Sequence, residues 1–150
     1  MTKNFLEINN VTFAASAQSK VNNVSLTIEN QGDIVCLLGP SGIGKTTILR
    51  TIAGLEKVQS GKIILKNKIL SSDNTHIEPE NRNISMGFQD NSLFPHYTVL
   101  ENIKFGADRN KKKKKGLNLN EINKLLHIEH IVDKYPHQIS SGEAQRASLA

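Results

Sequence analysis

The segment Ile34-Val-Cys-Leu-Leu-Gly-Pro-Ser-Gly-Ile-Gly-Lys-Thr-Thr47 decides the fold. It begins with five apolar residues, a pattern typical of a strand buried on both faces of a sheet. Closely spaced glycines follow and predict a tight loop. Apolar residues at helical spacing then predict a helix from about Gly44 to Ala53, with Gly54 as its stop. Strand, loop and helix in this order predict an α/β fold.

The loop itself matches the pattern G-x-x-x-x-G-K-[ST] from Gly39 to Thr46. Its glycines allow successive backbone N–H groups to turn toward an anion, and the following helix adds its N-terminal partial charge. In this pattern Lys45 binds the β and γ phosphates, and the Thr46 hydroxyl binds Mg²⁺. We therefore predict a site for a nucleoside triphosphate, ATP, with Mg²⁺, made by Gly39, Pro40, Ser41, Gly42, Ile43, Gly44, Lys45, Thr46 and Thr47.

Strands are predicted on both sides of this segment. Val24, Leu26 and Ile28 alternate with polar residues, as in a half-buried strand, and Phe5 to Phe13 is a weaker candidate. Further strands are predicted at Gly61–Lys66 and Ile84–Phe88. The polar stretch from Ser71 to Arg82 is predicted to be a loop.

The pattern becomes helical after residue 90. Thr98 and Glu101 form a capping box, as do Ser140 and Glu143, so helices are predicted to begin at both places. Asn120 is a candidate cap for a helix between them. This change of pattern predicts two domains, an antiparallel β and phosphate-loop core at 1–89 and a helical subdomain at 90–150.

Composition excludes several classes of function. The single cysteine, Cys36, rules out an intramolecular disulfide and a multi-cysteine zinc site, and its apolar neighbours predict that it is buried. No apolar run is long enough to span a membrane. The net charge of +5 is carried by Lys111–Lys115. No aromatic residue interleaves with these lysines, so we expect a solvated loop and no nucleic-acid partner.

Three ordered segments resemble the nucleotide-binding subunits of ABC transporters. Residues 38–56 resemble the extended Walker A region of that family, residues 86–103 resemble its Q-loop region, and residues 139–146 resemble its signature motif, LSGGQ-x-QR. The resemblance covers nearly the whole chain and implies the P-loop NTPase fold of ABC ATPases, with N-terminal antiparallel strands and a helical subdomain. The importer ATPases for ferric iron, polyamines, sulfate and maltose are most similar, the ferric-iron type above all.

Residue roles follow from this resemblance. Gln89 would contact Mg²⁺ or the attacking water, a catalytic and metal-binding role. Ser140, Ser141 and Gly142 would contact the γ-phosphate held by a second ATP-binding subunit. Phe94 and Tyr97 would lie either at an interface with transmembrane permease subunits or in simple packing. The chain would sit peripherally on the cytoplasmic face of the cell membrane and would couple ATP binding and hydrolysis to solute uptake.

The sequence departs from the family pattern in several places. The family's Walker B strand and switch histidine are not found within the 150 residues, so we expect no appreciable ATPase activity from this chain alone. A non-catalytic regulator that binds nucleotide or a full-length subunit is the alternative function. Ala15 stands where the family stacks an aromatic residue on adenine, and Phe13 is a weak substitute. Ser141 and Glu143 replace a glycine and a glutamine of the signature.

Overall fold

The computed structural model describes residues 4–14, 20–88, 92–109 and 118–150. The chain forms two compact units, Met1–Met86 and Gly87–Ala150. The predicted domain boundary between residues 89 and 90 lies in the gap at 89–91 and stays a prediction. Within the described residues, no helix has both the length and the apolar character needed to cross a membrane.

The first unit contains an antiparallel sheet of five strands. These are β1 (Leu6–Ala14), β2 (Lys20–Ile28), β3 (Ser60–Leu65), β4 (Lys68–Ser72) and β5 (Thr75–His76). Their order in the sheet is β2-β1-β3-β4-β5. A two-residue turn joins β3 to β4, and both of its residues, Lys66 and Asn67, have positive φ, as this tight hairpin geometry requires.

Alternation along β1 sets the register of this sheet. Ile8 is fully buried and pairs with Leu26 on one side and Ile63 on the other. A one-residue slip would turn these side chains to the opposite face, so burial fixes the pairing. The core cluster consists of Leu6, Ile8, Val11, Phe13, Ile48, Ile63 and Leu70. The strands predicted around Val24, at Phe5–Phe13 and at Gly61–Lys66 are confirmed.

Helix α1 (Lys45–Ala53) packs against the sheet through Ile48. It ends at Gly54, whose φ of 91° is left-handed. Leu55 N–H donates to Arg50 O and Gly54 N–H donates to Thr51 O, which is the paired arrangement that satisfies the last carbonyls of a helix. The predicted helix and its glycine stop are therefore both confirmed.

The apolar run before the phosphate loop differs from its prediction. Residues 34–38 form no strand, and Ile34 and Leu38 are 95% and 89% exposed. Cys36 is exposed as well, so the expectation that it is buried is wrong. An apolar run specifies a buried strand only where other strands flank it, and no described strand pairs with this one.

Two further local predictions are corrected. Ile84–Phe88 forms neither a strand nor a helix. The polar segment from Ser71 to Arg82 is more regular than predicted: it completes β4, adds β5 and contains a 3₁₀ turn at Pro79–Asn81. Short polar strands lack the apolar alternation by which a strand is recognised in a sequence.

The second unit is helical. Its helices are α2 (Val99–Arg109), α3 (Leu119–Leu125) and α4 (Ser141–Ser148), with 3₁₀ turns at Glu129–Ile131 and Pro136–Gln138. Its core cluster consists of Val99, Ile103, Ile128, Ile131 and Ala147. The predicted capping box before α2 is confirmed, because Thr98 N–H donates to Glu101 Oε2 at 2.7 Å and Glu101 N–H donates to Thr98 Oγ1 at 3.2 Å.

The cap of α3 is Asn118, not Asn120. The Asn118 side chain accepts from Glu121 N–H at 3.0 Å, and Asn118 N–H donates to Glu121 Oε2 at 2.7 Å. Asn120 lies inside the helix. Both asparagines are acceptable caps by residue type, but only Asn118 has a glutamate three residues later to return the hydrogen bond.

Candidate functional site

The predicted phosphate loop leads directly into the N-terminus of α1. Gly44 is the residue that precedes the helix, with a φ of 99°, and Gly42 has a φ of 83°. L-residues rarely adopt these values, so the two glycines make the loop shape possible. Because the first N–H groups of a helix have no intrahelical acceptor, the loop and helix together present several N–H groups to an anion.

Lys45 supplies the positive charge of this loop. Its Nζ atom donates to Gly39 O and to Pro40 O, both at 2.7 Å, so the ammonium group lies over the loop. An ammonium group has three N–H donors. Two of them are used here by the loop carbonyls, which leaves one for another acceptor while the charge stays above the loop.

The hydroxyl-bearing residues of the loop differ in exposure. Ser41 and Thr46 are exposed, whereas Thr47 is half-buried. Thr47 O accepts from Thr51 Oγ1 at 2.7 Å, which ties the first turn of α1 to the second. Of the two threonines at the start of α1, Thr46 is thus the more open to solvent, so its hydroxyl is available to an added metal ion.

An apolar cleft of about 130 Å³ adjoins the loop. Its walls come from two strands, the segment before the loop, the loop itself and α1. The lining residues are Phe13, Val21, Val24, Leu37, Leu38, Ile43, Gly44, Lys45 and Ile48. Phe13 is only 1% exposed and belongs to the core cluster. It therefore offers no open ring face on which a base can stack, and Ala15 lies outside the described residues.

The signature segment caps α4. Ser140 N–H donates to Glu143 Oε2 at 2.8 Å, the Ser140 hydroxyl donates to the same oxygen at 2.7 Å, and Glu143 N–H contacts Ser140 Oγ at 3.3 Å. Ser141 and Gly142 form the first turn of the helix, where N–H groups have no intrahelical acceptor. Ser141 has helical backbone geometry, so the serine at this position carries no left-handed strain.

Glu143 has a second partner. His130 Nε2 lies 2.8 Å from Glu143 Oε1, and its ring is largely exposed. The hydrogen bond from the Ser140 side chain, then the one from the Ser140 backbone, then the one with His130 lower the pKa of the Glu143 carboxyl to about 2. The first turn of α4 therefore carries a carboxylate, which suits the positive end of a helix.

The structure brings the predicted site residues together in two groups, Gly39–Thr47 in the first unit and Ser140–Gly142 in the second. Gln89 and the lysine run at 111–115 lie outside the described residues. Phe94 is 40% exposed and contacts Phe105 and Tyr97 with ring centroids 4.8 Å and 5.7 Å apart. Asn102 Nδ2 donates to the carbonyls of Phe94, Tyr97 and Thr98, which holds this aromatic loop on α2.

Arg82 is a buried residue near the candidate site whose role the sequence analysis did not predict. It is 1% exposed and hydrogen-bonds to the C-terminal end of α1. It falls in a polar stretch predicted to be a loop, where an arginine is ordinarily a surface residue. In the structure, Pro79 begins the 3₁₀ turn at Pro79–Asn81, just before Arg82.

Comparisons with known proteins agree with this geometry. The family described as ABC transporter matches residues 21–150. The chain is therefore a member of the ABC transporter family, and its fold is that of the family's α/β P-loop ATPase cassettes, with an antiparallel sheet and helices.

Individual relatives are import subunits. The chain is 43% identical over 148 residues to a probable sulfate/thiosulfate import ATP-binding protein from Chlorella vulgaris, covering 95% of this chain and 59% of the relative. It is 41% identical over 155 residues to a Fe(3+) ions import ATP-binding protein from Escherichia coli O157:H7, covering 99% and 42%. The chain thus spans about half the length of these relatives.

A solved structure gives the same fold. The ATP-binding cassette MJ0796, in a dimeric post-hydrolysis state bound to ADP and Pi, superposes with a TM-score of 0.74 at 26% identity. The match covers 96% of this chain and 67% of that one.

Proposed function

We propose that this chain provides the triphosphate-binding part of the ATP-binding subunit of an ABC importer. In this proposal Gly39–Thr47 binds the phosphates of ATP, and the whole subunit couples ATP binding and hydrolysis to solute uptake. The observation that carries the proposal is the position of the Lys45 ammonium group over a glycine-rich loop that opens into the N-terminus of α1.

Phosphate binding in this loop uses two kinds of donor. Backbone N–H groups at Gly42, at Gly44 and in the first turn of α1 supply hydrogen bonds and the positive ends of peptide dipoles. Lys45 supplies a full positive charge. Hydrogen bonds between charged partners are roughly twice as strong as neutral ones. When a triphosphate binds, its oxygens would take the third Lys45 donor or replace the carbonyls of Gly39 and Pro40. The exposed Thr46 hydroxyl would then bind Mg²⁺ beside the terminal phosphates.

The base would lie toward the apolar cleft beside the loop. The half-buried side chains of Val21 and Val24 line this cleft, and Lys45 lines it as well. An apolar wall favours a flat heterocycle over water. Aliphatic side chains, however, select one base over another less strongly than a stacked aromatic ring would. Phosphate contacts are therefore expected to supply most of the affinity for ATP.

The second unit would serve a partner subunit. The start of α4 presents Ser140 and the free N–H groups of Ser141 and Gly142, which suit an anion such as the γ-phosphate held by a second ATP-binding subunit. Phe94 and Tyr97 would face transmembrane permease subunits, with the chain peripheral to the cytoplasmic side of the membrane. Gln89 would contribute to Mg²⁺ binding and catalysis. The relatives import different solutes, sulfate or thiosulfate and Fe(3+), so ferric iron is one candidate solute among several.

Nucleotide binding to the Lys45→Ala variant tests this proposal. The change removes the loop's only full charge and should weaken ATP binding about 10- to 100-fold, because a charged partner of a phosphate is lost. The measurement is a titration with a fluorescent ATP analogue, followed by displacement with ATP, ADP and GTP.

Lys62→Ala is the matched control. Lys62 is an exposed lysine on β3, so its removal changes the net charge equally without touching the loop. Its affinity for ATP should stay within about twofold of the unmodified chain. Equal ATP affinities for Lys45→Ala and Lys62→Ala would refute the assignment of the loop, and tighter binding of GTP than ATP would refute the choice of nucleotide.

A further inference from the structure

We infer that Arg82 is a positioning residue for the nucleotide site: it holds the C-terminal end of α1 on the sheet and thereby fixes the loop at the other end of the helix. The inference rests on the proposed function, because it assigns Arg82 an effect on nucleotide affinity.

Every N–H group of the Arg82 guanidinium has an acceptor within the first unit. Nε donates to Ile77 O at 2.6 Å, and Nη1 lies 3.0 Å from both Thr51 O and Ile52 O. Nη2 donates to Ser71 Oγ at 2.7 Å and lies 3.3 Å from His76 Nδ1. His76 accepts this bond in the tautomer that carries its proton on Nε2.

These acceptors belong to separate elements. Thr51 and Ile52 are in the last turn of α1, Ser71 is in β4, and His76 is in β5. The planar guanidinium fixes the directions of its donors, so it sets both the distance and the orientation between helix and sheet. A lysine at the same place has a single nitrogen and cannot reach both sides.

The charge of Arg82 also suits the end of the helix. The last carbonyls of a helix carry partial negative charge, and a cation there is stabilising. Burial lowers the pKa of the Arg82 guanidinium from its ordinary value, and the Glu78 carboxylate partly opposes that shift. A guanidinium is not deprotonated in proteins, so the group keeps its charge at neutral pH.

The phosphate loop lies at the opposite end of the same short helix. Thr51 is six residues from Lys45, which corresponds to about 9 Å along a helix axis. Thr51 Oγ1 also bonds to Thr47 O, so the turn that Arg82 holds is linked to the turn that carries Thr46. A tilt of α1 about its packed residue, Ile48, would displace Gly44 and Lys45 relative to the loop carbonyls. Arg82 prevents this tilt although it touches no loop residue.

The test measures nucleotide affinity and the environment of the loop amides in Arg82→Lys. This variant keeps the positive charge and loses the planar guanidinium with its several directed N–H donors. ATP affinity should fall about 3- to 10-fold, as expected for a residue that acts through one helix. In ATP-bound protein, the amide ¹H and ¹⁵N resonances of Gly42 and Gly44 should shift relative to those of the unmodified chain. Loss of stability alone would not shift these resonances in the folded, nucleotide-bound state.

Arg50→Lys is the matched control, because Arg50 lies on α1 itself and its side chain forms an ion pair with the half-exposed Glu56 at 3.2 Å. It should leave ATP affinity and the loop resonances unchanged. If Arg82→Lys behaves like Arg50→Lys while the unmodified chain binds ATP, the inference is overturned. If the unmodified chain does not bind ATP, the proposed function fails first.

Ser71→Ala decides the question if Arg82→Lys does not fold. It removes one acceptor of Nη2 and leaves α1 and the arginine in place. ATP affinity should then fall about twofold, with the same direction of shift at Gly42 and Gly44. Unchanged affinity together with unchanged resonances in Ser71→Ala would equally overturn the inference.

Discussion

Replacing Gly54 by alanine should destabilise the first unit far more than a typical glycine substitution. Gly54 has a φ of 91° and closes the C-terminal end of α1. A Cβ atom added there would lie 2.4 Å from Arg82 Nε, 2.8 Å from Cζ and 3.0 Å from Cδ. Arg82 cannot swing aside without breaking hydrogen bonds, because its guanidinium is buried and fully paired.

The magnitude has two parts. A non-glycine residue in the left-handed region costs roughly 1–2 kcal/mol. Displacing the guanidinium weakens at least one hydrogen bond to a charged group, at about 1.5–3 kcal/mol each. The expected loss of unfolding free energy for Gly54→Ala is therefore about 2.5–5 kcal/mol, which is a large fraction of the stability of an ordinary domain.

The Gly32→Ala variant separates the backbone cost from the cost of displacing the Arg82 guanidinium. Gly32 has a φ of 102° and no atom within 4 Å of an added Cβ, so only the backbone cost of roughly 1–2 kcal/mol remains. Urea unfolding of both variants gives the comparison, since a change in midpoint at constant slope reports stability. Equal destabilisation of the two variants would show that Arg82 can move freely, and would refute the description of Arg82 as a fixed clamp.

Two further predictions concern the helical unit. Asn118→Ala should lower the free energy of unfolding by about 1 kcal/mol, because it removes the cap of α3, whereas Asn120→Ala should have almost no effect. Thermal unfolding of the two variants tests which residue is the cap. A larger effect of Asn120→Ala than of Asn118→Ala would contradict the assignment. Glu143→Gln should alter the acid dependence of stability. The pKa of Glu143 falls from its ordinary 4.5 to about 2 on folding, because of Ser140 first and His130 second. Its ionised form therefore stabilises the fold fully above pH 4.5, and this contribution is lost as the pH falls toward 2. Urea midpoints between pH 6 and pH 2 should converge for the variant and the unmodified chain, and a constant difference would contradict the assignment.

The sequence predicted those features that depend on neighbours along the chain. The phosphate loop, the glycine that ends α1 and the capping box at Ser140 are each contained in a few consecutive residues. Their hydrogen bonds join residues close in the sequence, as from Lys45 Nζ to Gly39 O, so a short pattern is enough to specify them. The cap of α3 at Asn118 is equally local. We predicted Asn120 instead because we chose the cap by residue type and did not look for a partner such as Glu121.

Features that depend on distant partners could not be predicted in this way. The run Ile34–Leu38 has the composition of a buried strand. An apolar composition shows that burial of the segment would be favourable, but it does not specify which strands would pair with the segment. Phe13 looked like a substitute for a stacking ring because it lies two residues from Ala15. It is instead a core residue, since alternation along β1 turns it to the same buried face as Val11.

Arg82 shows how this distinction bears on function. Its acceptors lie between 5 and 31 residues away along the chain, so no local pattern marks it. The loop that it supports can be recognised from eight residues, but a recognised loop binds tightly only when its backbone is held in one shape, because ordering it on binding would cost affinity. The motif therefore predicts the ligand, while we propose that the strength of binding depends on how α1 is held against the sheet. For this reason substitutions at Arg82 and Gly54 should weaken ATP binding even though every residue of Gly39–Thr47 is unchanged.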